Sequence, residues 1–263
     1  MNPELDSSES PSLSAIWIRG LLKIYPSSQG EIKAIDGLNL QITKGELYGL
    51  LGPNGAGKST AINILCGLNS ATSGKVFVNG LELQKNLSTI KKQIGVCPQE
   101  PSVFPYLSGR QNIEFLGDLH TVPKQTLKAR TQELLEKIGL MHDADRQVKT
   151  YSGGMLRRIN VAMALINDPE IVFLDEPTVA MDPQARHGVW DFIRDLKARH
   201  KTVILTTHYI EEAEALCDRV GIIDHGKLIA EGTPAQLKSQ YGAKTLEDVF
   251  IQITGRMIRE GGQ

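Results

Sequence analysis

Residues 52–59 read GPNGAGKS, with three glycines, a lysine and a hydroxyl inside eight positions. The spacing fits G-x-x-x-x-G-K-[ST], a loop whose backbone N–H groups converge on a phosphate. The helix expected to follow adds its electropositive N-terminal end. On this reading Gly52, Pro53, Asn54, Gly55, Ala56 and Gly57 form the cradle. Lys58 brings a compact positive charge to the β- and γ-phosphates. Ser59 offers a hydroxyl to Mg²⁺, and Thr60 offers another to a phosphate.

A second group can act on what the loop holds. In IVFLDEP (171–177) an apolar run ends in two acids, and strand ends of open α/β sheets face the ligand crevice. Asp175 is placed to hold Mg²⁺ through water, and Glu176 to deprotonate an attacking water as general base. His208 ends another apolar run, TVILTTH. A lone histidine is more often structural, but at the same sheet edge its imidazole can donate a hydrogen bond to the γ-phosphate. Gln99 ends QIGVCPQ, where its amide could touch Mg²⁺ or the attacking water.

A third feature has no evident task within one chain. YSGGMLRR (151–158) opens a helical run with two adjacent glycines, which disfavour helix by about 1 kcal/mol each relative to alanine. Ser152 can cap the helix and leave its first-turn amides pointing outward. Ser152, Gly153 and Gly154 thus form a second anion site, roughly a hundred residues after the first.

These groups need strands and helices in a particular order. GELYGLLG feeds a short strand into the glycine-rich loop, and STAINILCGL continues as a helix. GKVFVNG and QIGVCPQ read as strands, and AIWIRGLLKIYP and IKAIDGLNLQI as β-rich runs separated by PSSQGE. Between residues 100 and 168 the runs RQNIEFLGDLH, KQTLKARTQELLEKIGL and GGMLRRINVAMALIN carry helical periodicity with no strand between them. IVFLD and TVILTTH are continuous apolar runs of the kind that form buried parallel strands. The helix QARHGVWDFIRDLKARH separates them. IEEAEALCDRV is a further helix, and GIIDHGKLIAEG a closing hairpin.

The 263 residues are 41% hydrophobic and 22% charged, with a formal net charge of −1. That balance suits a globular domain and gives no bulk attraction to nucleic acid. Three widely separated cysteines, Cys66, Cys97 and Cys217, read as reduced thiols. No apolar stretch approaches the ~20 residues that span a bilayer. Residues 1–14 are expected to be a disordered polar tail, 15–235 the main domain with a helical subdomain over about 100–168, and 236–263 a short extension.

Together the motifs resemble the ATP-binding cassette proteins. Gly52–Thr60 resembles their Walker A motif, Ile171–Glu176 Walker B, and YSGGM the signature. Gln99 resembles the Q-loop, VAMD (179–182) the D-loop and His208 the switch histidine. Tyr25, in LLKIYP, stands where that family places an aromatic that stacks on adenine. TLEDVFIQITG is similar to the ATPase subunits of bacterial drug-exporter-type transporters. Tyr151 and Met155 depart from the commoner Leu and Gln, and Ala180–Met181 from Gly–Leu. The serine, both signature glycines and Asp182 are kept.

The resemblance implies an α/β P-loop NTPase fold with a mixed β-sheet core, an N-terminal antiparallel β subdomain and an inserted α-helical subdomain. It implies an ATPase using ATP and Mg²⁺, with Ser59, Gln99 and Asp175 on the metal. Two copies would pack head to tail, with Ser152, Gly153, Gly154 and Asp182 serving the nucleotide of the opposite subunit. The partner would be an integral membrane permease, most readily an exporter, at the cytoplasmic face of the inner membrane, and not nucleic acid. A soluble cassette ATPase in DNA repair or translation is the alternative. It would call for long heptads or two cassettes per chain, and the sequence has neither. A P-loop kinase or helicase would leave YSGGM and His208 unexplained.

Overall fold

The computed structural model describes residues 14–28, 30–179 and 181–255. Of the polar tail expected over residues 1–14, only Ser14 is described; it opens the first strand and is buried. Residues 1–13, Ala180 of VAMD and residues 256–263 of the extension lie outside the described residues.

β1 (Ser14–Ser27) and β2 (Gly30–Thr43) form a long antiparallel hairpin, paired from Ser14 opposite Thr43 to Ser27 opposite Gly30. The connection is therefore much tighter than PSSQGE suggests. β3 (Leu47–Leu51) is buried throughout and leads to α1 (Lys58–Leu65). The chain then returns to the first sheet: β4 (Ser73–Val78) pairs with β1, and β5 (Leu81–Glu82) with β4. The antiparallel sheet, ordered β2-β1-β4-β5, thus closes only after the phosphate loop has been made.

α2 (Leu87–Gln93) precedes β6 (Ile94–Cys97). Three helices follow, α3 (Gly109–Leu119), α4 (Lys124–Lys137) and α5 (Gly153–Met163). α3 has a capping box between Ser108 and Gln111. β7 (Ile171–Asp175), α6 (Pro183–Ala198), β8 (Thr202–Thr207), α7 (Ile210–Leu216), β9 (Arg219–Asp224) and β10 (Lys227–Gly232) complete a six-stranded sheet. Its order is β10-β9-β3-β8-β7-β6, parallel except for the β9–β10 hairpin.

The central strands β3, β7 and β8 are covered on both faces and buried throughout, which is why they read as largely apolar runs. Side chains alternate between faces with period two. Tyr48, Leu50, Ile171, Phe173 and Ile204 join α1 and the antiparallel sheet in one core. Leu47, Leu51, Val172, Leu174, Val203 and Leu205 join the helices in another. The mixed α/β P-loop NTPase architecture follows from this partition.

Two elements end differently from the sequence reading. The helix expected over IEEAEALCDRV stops at Leu216, because β3 captures the chain: Leu47 N–H donates to the Asp218 carboxylate, and Asp218 N–H to the Leu47 carbonyl. Arg219 and Val220 are already strand. The division drawn at 235/236 falls inside α8 (Pro234–Tyr241), and α9 (Leu246–Thr254) follows. Leu237, Leu246, Val249 and Phe250 from these helices are fully buried in the helix-side core. All three cysteines are buried free thiols, and burial pushes that of Cys97 up to about 12.

Candidate active site

β3, β7 and β8 run parallel and end level with one another. Leu51 stands opposite Thr207, and Asp175 opposite Thr206. Gly52, Asp175–Glu176 and His208 therefore emerge side by side at one sheet edge, although they are far apart in sequence.

The loop from Gly52 to Gly57 is fixed by its own packing. A Cβ on Gly57 would lie 2.4 Å from the Ala34 carbonyl oxygen, and its φ of +107° is one that side-chain-bearing residues avoid. The Ala56 carbonyl accepts from Gly226 N–H, and the Gly226 carbonyl from Asp36 N–H. Hence β2 and the β9–β10 turn clamp the loop from outside, and Asn54 and Gly55 remain exposed.

Lys58, the first residue of α1, is buried and uses its ammonium fully. It donates to the carbonyls of Gly52 at 2.7 Å and Pro53 at 3.2 Å, and pairs with Glu176 Oε1 at 3.3 Å. Burial pulls its pKa down, against the opposing effect of Glu176 and Asp175. The other Glu176 oxygen, Oε2, lies 3.0 Å from His208 Nδ1. His208 is thus brought to Glu176. Its ring packs against that of Tyr209, with centroids 4.2 Å apart and planes inclined by 38°.

Burial raises the proton affinity of Glu176, but the hydrogen bond from His208 and the charge of Lys58 outweigh it and leave its pKa below the ordinary value. Such a carboxylate adds stability that is present above the unfolded-state pKa of about 4.3 and is lost as pH falls through the lower folded value. The wild type should therefore lose stability relative to Glu176→Gln as the medium is acidified through this window. Urea midpoints of both proteins at a series of pH values test this, and a pH-independent difference would contradict it.

Glu176 has a backbone φ of +49°, a left-handed setting that disfavours a non-glycine residue by about 1–2 kcal/mol. Its N–H is anchored by the carbonyl and the hydroxyl of Thr206. Thr206 also donates to Asp175 Oδ1, which in addition accepts from Ser59 Oγ at 3.2 Å. A buried carboxylate and a hydroxyl converge there, a hard-oxygen set that suits Mg²⁺. Sequence reasoning passed over Thr206. Its signal is a pair of hydroxyl residues, Thr206 and Thr207, that follow an apolar run and are buried with it.

Gln99 is placed less directly. β6 stops at Cys97, so Gln99 lies two residues beyond the strand it was expected to end. It is exposed and makes no hydrogen bond to Ser59 or Asp175. Cys97 pairs with Leu174, so the segment after β6 runs level with Asp175 and Glu176. That segment is fastened to α5: Arg157 and Asn160 both donate to the Pro98 carbonyl. Tyr25 pairs with Ile32, two residues from the Ala34 that packs on Gly57. Its hydroxyl accepts from Asn69, and the Lys23 ammonium lies 4.7 Å from its ring centroid.

The signature segment stands apart. Ser152 caps α5 by accepting from Met155 N–H, and Tyr151 is tied to the Asp143 carbonyl. α5 is fastened to edge strand β6, three strands from β3, or about 14 Å at normal strand spacing. A Cβ on Gly153 or Gly154 would meet nothing within 4 Å. Asp182 caps α6 by accepting from Ala185 N–H.

Residues 35–179 match the ABC transporter family. The chain is 40% identical over 250 residues to a daunorubicin resistance ATP-binding protein of Streptomyces coeruleorubidus, spanning 95% of this chain and 75% of that one. It is 42% identical over 231 residues to a linearmycin resistance ATP-binding protein of Bacillus subtilis, spanning 88% and 73%. Among solved structures it superposes, with a TM-score of 0.77 and 27% identity, on a dimeric ATP-binding cassette in a post-hydrolysis state with ADP and Pi. That match covers 83% of this chain and 98% of the other.

Proposed function

The chain belongs to the ABC transporter family, and from that premise we propose that it drives a membrane permease, as an exporter, through ATP-dependent head-to-tail pairing with a second cassette. It is an ATP-binding subunit and an ATPase. No helix among the described residues is long and apolar enough to cross a membrane. Attachment to the cytoplasmic face of the membrane would therefore run through the permease. The resistance functions in the names of its relatives support export.

One observation carries the reading: the phosphate loop and the signature helix end lie on different parts of the chain, and the signature glycines face open space. Two phosphate-binding helix ends carried by well-separated strands of one sheet would both be used when two molecules pair. Ser152, Gly153, Gly154 and Asp182 then serve the nucleotide of the opposite subunit.

ATP would lie along the loop 52–60, with its adenine toward Tyr25. Arriving phosphates take over Lys58, which must release Glu176 and the two loop carbonyls. Losing that cation raises the proton affinity of Glu176, so the same event that seats the substrate readies the base. Glu176, oriented by His208, then accepts a proton from the water whose oxygen attacks the γ-phosphorus, and the bond to ADP breaks. Ser59 and Asp175, with Gln99 once it moves in, would hold Mg²⁺, which neutralises phosphate charge when bound.

Affinity purification of Glu176→Gln from detergent-solubilised membranes with ATP and Mg²⁺ tests the proposal. A polytopic membrane protein should copurify. If only soluble partners appear while the chain still pairs on ATP, the transporter role is wrong.

A further inference from the structure

Of the three acids in IEEAEAL, Glu212 is the one turned fully inward. Its Oε1 accepts from the Thr178 hydroxyl at 2.7 Å and from Trp190 Nε1 at 2.9 Å, and the Thr207 hydroxyl of β8 also favours the ionised carboxyl. Burying a carboxyl is costly even when it is hydrogen-bonded, and an apolar side chain would avoid that desolvation. Burial pushes its pKa up, against the pull of the hydrogen bonds. A group kept against such a penalty calls for a reason outside packing.

The two donors supply one. Thr178 lies two residues after Glu176, whose left-handed backbone is held on its N-terminal side by Thr206. Thr178 holds the segment on the other side through its hydroxyl. Trp190 belongs to α6, the helix capped by Asp182. A single carboxyl oxygen therefore joins the loop of the base to the helix that begins at Asp182. A parallel contact runs beside it: the Arg186 guanidinium of α6 lies 4.5 Å from the ring centroid of Tyr209, which packs against His208.

We propose that Glu212 is a positioning residue for ATP hydrolysis, tying the segment that carries Glu176 to helix α6. Through it, the seating of α6 against a second subunit fixes the backbone on which the base is mounted. The role rests on the reading of Glu176 as the base and of Asp182 as facing the partner. It requires an acceptor at Oε1, not a negative charge.

The test compares full-length Glu212→Ala, Glu212→Gln, Thr178→Val and Glu176→Gln in steady-state ATP hydrolysis with Mg²⁺. Trp17 is replaced by Phe throughout, so that Trp190 alone reports by fluorescence. Glu212→Ala should lower kcat at least about tenfold, toward the hundredfold that an ångström of misplacement can produce, with KM for ATP unchanged and Trp190 emission shifted. Glu212→Gln should keep kcat, because its amide oxygen accepts the same two bonds. Thr178→Val breaks the link from the loop side and should lower kcat even where Glu212→Ala fails to fold. The proposal is overturned if both truncations keep kcat while Glu176→Gln loses it, if the loss falls on KM, or if Gln fails as badly as Ala. Retained turnover in Glu176→Gln would remove the base assignment, and the positioning role with it.

Discussion

Replacing Glu176 by glutamine is expected to lower ATP turnover by about 10²–10⁴-fold, the range for losing a general base, with ATP bound at least as tightly as by the wild type. Glutamine keeps the shape and an acceptor oxygen for His208, so the left-handed turn at 176 has no new reason to move. What changes is the charge opposite Lys58. In the free protein that ammonium is paired with Glu176 at 3.3 Å, and binding phosphate requires it to leave. Without the carboxylate the competition disappears. The result to look for is therefore a split: phosphate release nearly abolished at saturating ATP, and nucleotide affinity equal or stronger. Near-normal turnover would dismiss Glu176 as the base, and weakened binding would contradict the exchange at Lys58.

A comparable loss of turnover, about 10²–10³-fold on the scale for removing donors aimed at developing charge, is expected for Gly153→Asp, with the opposite effect on stability. Gly153 begins α5 in ordinary helical conformation, and a side chain there would enter open space. A non-glycine residue should stabilise the helix by up to about 1 kcal/mol, and a carboxylate near a helix N-terminus by some tenths more. The isolated chain should thus melt no lower than the wild type and bind ATP normally. It should fail to pair when ATP is added in the Glu176→Gln background, which size-exclusion chromatography reports directly. If the substitution instead destroyed ATP binding by the monomer, the signature would belong to the chain's own nucleotide.

Much of this was legible because the motifs are local and sit at strand ends. GPNGAGKS, IVFLDEP and TVILTTH each carry an element and its functional terminus in a few residues, and unbroken apolar runs announce strands buried on both faces. What stayed hidden depends on registry across the sheet. Nothing near His208 indicates that it meets the Glu176 carboxylate, and nothing near Thr206 that it binds Asp175 and Glu176 at once. In the sequence a helical pattern continues through Arg219 and Val220, and only pairing with β3 turns them into strand. QIGVCPQ has no internal break that would end a strand before Gln99, whereas pairing with β7 runs out at Cys97. Glu212 was lost among neighbouring acids, since composition cannot say which of three carboxylates points inward.

The placement of β3 bears on how the chain can be made. β3 lies between β8 and β9, so neither of its edges can be satisfied until residues beyond 202 exist. The antiparallel sheet has all its strands by Glu82 and can form early. During synthesis at about 5–20 residues per second, LYGLL waits about 8–30 s for partners roughly 150 residues downstream. Its bare edges and apolar faces are for that time a site for mispairing with other nascent chains, and such distant pairing makes the last step slow. Ribosome-bound chains halted just before residue 202 should therefore lean most heavily on chaperones that shield apolar segments.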